Sequence, residues 1–138
     1  MSPKRAIRTI FIPVSYDKTL QRIREALRGE GLTVVMEFDL SARITRAFGT
    51  EGPSCCVLFI DSPLILLEAM ANGIAAATMF PLHIAVSEDN CGTLVQFLSP
   101  IAFQESELSI GSKISLGKLQ NQISRSLDAV GAQEALAG

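Results

Sequence analysis

SCCVLFIDSPLILLEAMANG, residues 54–73, is the stretch on which the fold turns. Cys55 to Ile60 is a continuous apolar run of strand length, and such a run predicts a strand buried on both faces. Asp61 closes it. Ser62 then has the side chain of a helix N-cap, and Pro63 suits the first helical position because its missing N–H would be unpaired there anyway. The helix is predicted to run to about Ala71, with Asn72-Gly73 as its stop. Leu64, Ile65, Leu66, Leu67 and Met70 point nearly all round its axis, so it needs cover on several sides. Either a C-terminal helix or a second subunit supplies that cover.

Upstream, Arg8 to Ser15 reads as a strand ended near Pro13. Leu20, Ile23 and Leu27 mark a helix begun by Ser15 and stopped by Gly29 and Gly31. In the next strand Leu32, Val34, Met36 and Phe38 face one way and Thr33, Glu37 and Asp39 the other, with Val35 out of step. SARITRAFG then forms a short helix carrying Ile44 and Phe48 on one face and ending at Gly49. Downstream, LHIAVSE and TLVQFLS flank the turn DNCG as a hairpin. Leu116, Leu119, Ile123, Leu127 and Val130 space out a final helix over about 115–131, with a mobile tail after about 132. The order β-α-β-α-β-α-β-β-α, with no repeat or linker, predicts one α+β domain over 1–138. We expect a two-layer sandwich whose mixed or antiparallel sheet carries helices on one face. The last helix packs on the core or at a dimer interface.

At 138 residues, 48% hydrophobic and 19% charged, the chain can bury a core without metals or disulfides. A net charge of -2 offers no case for nucleic acid as a partner. The charges are unevenly spread. Residues 1–46 hold nine Lys/Arg and five Asp/Glu, residues 47–111 hold seven acids and no base, and the remainder three bases and two acids. This pattern fits a basic solvated helix followed by an interior-rich middle, or an acidic surface meeting the basic face of a second copy. Leu64 to Val86, the sole membrane-span candidate, is interrupted by Glu68, Pro81 and His83, so no membrane association is expected. The start lacks the pattern of a secretory leader, which points to the cytoplasm.

Neighbouring strand residues face opposite ways, so Cys55 and Cys56 do not chelate one ion together. There is no C-x-x-C, and Cys91 lies in the hairpin turn; the thiols read as core and loop residues, with no metal and no cofactor expected. Asp61 stands just before a helix cap, where backbone N–H groups and the helix dipole favour an anion, at the carboxyl end of a strand. Its alternative role is to satisfy the donors of that helix start. His83, the one histidine, opens the following strand. With Ser62 these two make the candidate ligand-binding set, and a carboxylate with an imidazole does acid–base work when hydrogen-bonded. No G-x-S-x-G, H-E-x-x-H or phosphate-cradling glycine loop occurs.

Three segments carry a family resemblance: VSYDKTLQRIREALRGEGLTVVMEFDLSARI (14–44), FIDSPLILLEAM (59–70) and MFPLHIAVSEDNCGTLVQFLSP (79–100). Together they resemble the domain of unknown function 302 family, small bacterial and archaeal proteins. The resemblance implies a compact α+β fold, commonly dimeric, and no established reaction. It also shows departures, because Asp61 and Leu82 stand where many members carry cysteine, and Cys55, Cys56 and Cys91 fall on neither position. The expected function is a non-enzymatic dimeric binding or interaction module. The alternatives are a small-ligand-binding protein or enzyme using Asp61, Ser62 and His83, and, last, a metal or thiol redox protein.

Overall fold

The computed structural model describes residues 6–99 and 106–137, with side chains to 132. Its elements are β1 (Ile7–Ile12), α1 (Tyr16–Gly29), β2 (Thr33–Asp39), α2 (Leu40–Phe48), β3 (Cys55–Asp61), α3 (Pro63–Ala71), a 3-10 helix (Ile74–Met79), β4 (Leu82–Asp89), β5 (Gly92–Leu98) and α4 (Ile110–Ala137). The five strands form one sheet in the order β1-β5-β4-β3-β2. Every pairing is antiparallel, so the sheet is not mixed.

Local chemistry places the helix starts. The hydroxyls of Ser15 and Ser62 accept hydrogen bonds from the backbone N–H groups of Lys18 and Ile65, and the Asp39 carboxylate accepts from that of Ala42 at 2.9 Å. Gly49 ends α2 in the left-handed conformation, φ 71°, where its N–H donates to the Thr45 carbonyl.

The core lies between one face of the sheet and the layer of α1, α3 and α4. Cys56, Leu58 and Ile60 of β3, Leu82, Ile84 and Val86 of β4, and Val95 and Phe97 of β5 point into it. Leu20, Ile23 and Leu27 meet them from α1, and Leu116, Leu119, Ile123, Leu127 and Val130 from α4. This is the two-layer α+β arrangement. α4 runs between the other two helices, and the Ser112 hydroxyl donates to the Ala69 carbonyl of α3 at 2.9 Å.

Four details differ from expectation. The Cys55–Ile60 run is buried on one face only, with Cys56, Leu58 and Ile60 inside and the alternate residues partly exposed. β2 has a register shift between Val34 and Met36. An extra residue at Val35 flips the pleat, so Val34 is in register with inward Ile60 while Met36 and Phe38 lie opposite outward Phe59 and Val57. That same flip turns Glu37 inward, where its two carboxylate oxygens accept from the Arg24 guanidinium of α1, each at 2.6 Å. α4, expected over about 115–131, spans Ile110–Ala137; its early residues lack the apolar stripe but continue the helix from Ser109, whose hydroxyl accepts from the Ser112 N–H at 3.1 Å. α4 covers one side of α3 and buries Ile65 and Ala69, while Leu64 and Leu67 stay 65% and 68% exposed.

Candidate functional site

With the helices gathered on one face, the other face of the sheet stays uncovered among the described residues. Alternation and register arrange its side chains in rows. One row crosses the sheet as Met36, Phe59, His83, Leu98 and Ile7, and the next as Phe38, Val57, Ala85, Gln96 and Thr9. A third holds Cys55, Ser87, Leu94 and Phe11. None of these residues is Lys, Arg, Asp or Glu. Ile7, Met36 and Phe11 are about half exposed, at 55%, 50% and 45%. Five strands about 4.8 Å apart and six or seven residues long give a footprint of roughly 500 Å². That footprint, which includes the polar His83, Gln96, Thr9 and Ser87, is of the size of the largest surface patch of a typical monomer, and such patches are often functional.

The sequence-predicted set falls at one edge of this face. Asp61 ends β3 with its side chain on the open side, since Ile60 points inward. His83 sits on the neighbouring strand, directly opposite Phe59, and its ring packs against that phenyl with centroids 5.8 Å apart. Asp61 is thus the diagonal neighbour of His83, a backbone separation of about 7–8 Å. No hydrogen bond or ion pair joins them. Ser62 does not share their surface role in this arrangement, because its hydroxyl caps α3. Beside His83 lie two small cavities. One of about 220 Å³ is lined by Ile7, His83, Ala85, Gln96, Phe97 and Leu98, and one of about 160 Å³ is bordered by His83, Leu98, Pro81 and Gln120.

The three thiols are kept apart. Cys56 is buried, Cys55 lies on the opposite face of the same strand, and Cys91 is exposed in the β4–β5 turn. Burial pushes the Cys55 and Cys56 thiols above the ordinary value, and the negative charge of Asp39 adds to this. Both are therefore held as thiols, the unreactive form. Among the described residues no three His, Cys, Asp or Glu side chains converge as metal ligands do.

Sequence reasoning missed the open face and one further feature. A cleft of about 890 Å³ opens at the end of the sheet between the β1–α1 turn, the loop before β3 and the β4–β5 turn. Glu51, Glu88 and Asp89 line it with Tyr16 and Cys91, so three of the acids of the base-free segment share one rim. The signal for the open face was present. Val57, Phe59, Ala85, Leu94 and Leu98 put apolar residues at the outward parity of β3 to β5 as well as the inward one, while the helices suffice for one layer.

Residues 9–130 match the family described as domain of unknown function DUF302. The chain belongs to this family. Among curated proteins none matches. A solved DUF302 structure, the crystal structure of an uncharacterized conserved protein from Bacillus stearothermophilus, superposes with a TM-score of 0.82. The two are 15% identical, and the match covers 91% of this chain and 98% of that one. At that identity the likeness establishes the shared DUF302 fold. Within that fold, Asp61 ends β3 on the open face and Leu82 begins β4 in the core, 4% exposed. No helix among the described residues is long and apolar enough to cross a membrane.

Proposed function

We propose that this DUF302 protein is a non-enzymatic interaction module that associates with a second copy of itself through the open face of its sheet. The observation that carries this reading is a sheet face whose three central rows hold no Lys, Arg, Asp or Glu and which has no covering layer among the described residues. A stable dimer buries about 800 Å² per partner. The sheet footprint of roughly 500 Å² supplies most of that, and the exposed flank of α2 beside it adds to it. Closing two such faces makes a sandwich of two sheets about 10 Å apart, a standard way to bury the second side of an antiparallel sheet. The free thiols suit a reducing compartment, and we place the protein in the cytoplasm.

Ala85 stands at the middle of the face, paired with Val57. An Ala85→Arg side chain reaches solvent in a single copy but carries an unpaired charge into the interface of a pair. Sedimentation equilibrium of the two proteins tests the reading. We expect dimer for the unaltered chain and monomer for Ala85→Arg, with the same far-ultraviolet circular dichroism. Equal masses for the two proteins would sink the proposal.

A second reading has its own observation, the cavities beside His83. Apolar walls with His83 and Gln96 at the rim suit a small ligand with a hydrogen-bonding group, and Asp61 lies one strand away. On this reading Asp61→Asn and His83→Ala abolish ligand binding while the fold stays intact, which isothermal titration against candidate ligands and circular dichroism read directly.

A further inference from the structure

Among the described residues α2 touches the sheet at the start of β3, where the Ser41 hydroxyl accepts from the Cys55 N–H at 3.1 Å, and its apolar side has no cover. None of its residues is buried, and Ile44 and Phe48 are 50% and 78% exposed. Isolated helices shorter than about 12–15 residues are marginal in water, so helices of this length draw their stability from packing an apolar side. α2 has such a side in Leu40, Ile44 and Phe48, spaced at i, i+4 and i+8. Its charges are Arg43 and Arg46, with no acid. The Arg43 guanidinium lies over the Phe38 ring, 5.9 Å from its centroid. Phe38 points out of the open face, so α2 borders that face at the β2 edge, near the start of β3.

The cavity of about 220 Å³ beside His83 lies at the opposite corner, across β1, β5 and β4. It has the space of roughly seven waters, enough for one phenyl side chain. The carboxylate on that end of the face belongs to Asp61, on the strand next to His83. A projecting apolar helix with two arginines at one corner therefore answers an apolar hollow with a nearby acid at the other. A two-fold axis lying in the face, perpendicular to the line joining the two corners, exchanges them.

We infer that in the dimer proposed above, on which this inference rests, α2 of each copy docks on the other, with Phe48 seated in the cavity beside His83 and Arg43 and Arg46 turned toward Asp61. One reciprocal contact then covers both the apolar side of α2 and the open corner. It also gives the charge asymmetry of the chain a use, since the basic residues before 47 meet the acid of the base-free segment.

The chain contains no tryptophan, so Phe48→Trp introduces a single reporter. We would record its fluorescence across a dilution series of the full chain, with sedimentation equilibrium on the same samples. In the dimer the indole emission is blue-shifted and moves to the red as the dimer dissociates. In the Ala85→Arg background it stays red at all concentrations. Phe48→Ala, at a residue exposed in the single copy, weakens association by about 30-fold or more, the loss typical of an anchoring aromatic. A dimer whose indole emission stays red, or whose affinity is unchanged in Phe48→Ala, would overturn the α2 docking and leave sheet-face association standing. A chain that stays monomeric at every concentration would overturn both.

Discussion

Glu37 shows how far one residue's environment depends on a feature invisible in the alternating pattern. The strand reading put it on the solvent side; the shift at Val35 brings it under α1, where Arg24 holds it with two short hydrogen bonds. That hydrogen bond, stronger than the opposing effect of burial, holds the Glu37 carboxyl below its ordinary value of 4.5. A carboxyl lowered in the folded state contributes stability above its unfolded pKa, and loses it as pH falls through the folded value. Both side chains are a third or more exposed, 39% and 33%, so solvent screening limits the pair to about 1 kcal/mol or less. We predict that Glu37→Gln lowers the unfolding free energy by about 0.5–1 kcal/mol at pH 7. In urea titrations that deficit should shrink as pH is taken down from 4.5. At Gly92 the constraint is steric. A Cβ there would run into the Ile12 carbonyl and press on Phe11 and Pro13 of the neighbouring strand end. Gly92→Ala should cost about 1–3 kcal/mol, as overpacking does, and a thermal melt reads it. Ser62 and Pro63 were legible as a helix start, because capping chemistry is local. That Asp61 and His83 share a face on adjacent strands was not, because it depends on how β3 and β4 pair.

At the scale of elements, periodicity did most of the work. Every apolar residue of the α4 stripe is buried, though the stripe did not mark the buried polar Ser112, Ser115, Gln120, Ser124 and Ser126, and the order of strands and helices followed from turn and cap signals. It failed where an apolar run did not declare its surroundings. CCVLFI reads the same whether its second face meets helices or another molecule, and α3 is apolar all round whether or not its outer side is covered. Substitutions separate these cases. Leu119→Ala in the α4 core should cost about 2–5 kcal/mol, whereas Leu67→Ala, at a side chain 68% exposed, should stay within about 0.5 kcal/mol. The thiols give a second check on the strand geometry. Cys91, in an exposed turn, should react first with a thiol reagent under native conditions. Cys55, half-buried, should follow, and buried Cys56 should react last, at a rate set by unfolding. Mass mapping of partly labelled protein checks the order, and early labelling of Cys56 would contradict the one-sided burial of β3.

At the scale of the whole molecule, the described residues build a two-layer fold in which the helices cover one side of the sheet and leave the other bare. Composition hinted at this. At 48% hydrophobic and 19% charged, the chain has more apolar residues than a single layer of helices hides. The large apolar side chains left exposed are shared between the sheet, at Ile7, Phe11, Val35 and Met36, and the helices, at Ile44, Phe48, Leu64, Leu67, Ile74, Ile110 and Ile114, while the outward apolar residues of β3 to β5 are partly buried. The fold itself is shared with the solved DUF302 structure at 15% identity over 91% of this chain and 98% of that one. What the sequence could not express is the closing of that second side, because a surface meant for another copy and a core position have the same residue chemistry. The central claim is that the bare face meets its equal. Native mass spectrometry of the unaltered chain, without added metal or reductant, tests it most directly. The account predicts twice the 14.8 kDa chain mass with nothing added, falling to the single chain on dilution. A single chain of 14.8 kDa at every concentration would contradict it.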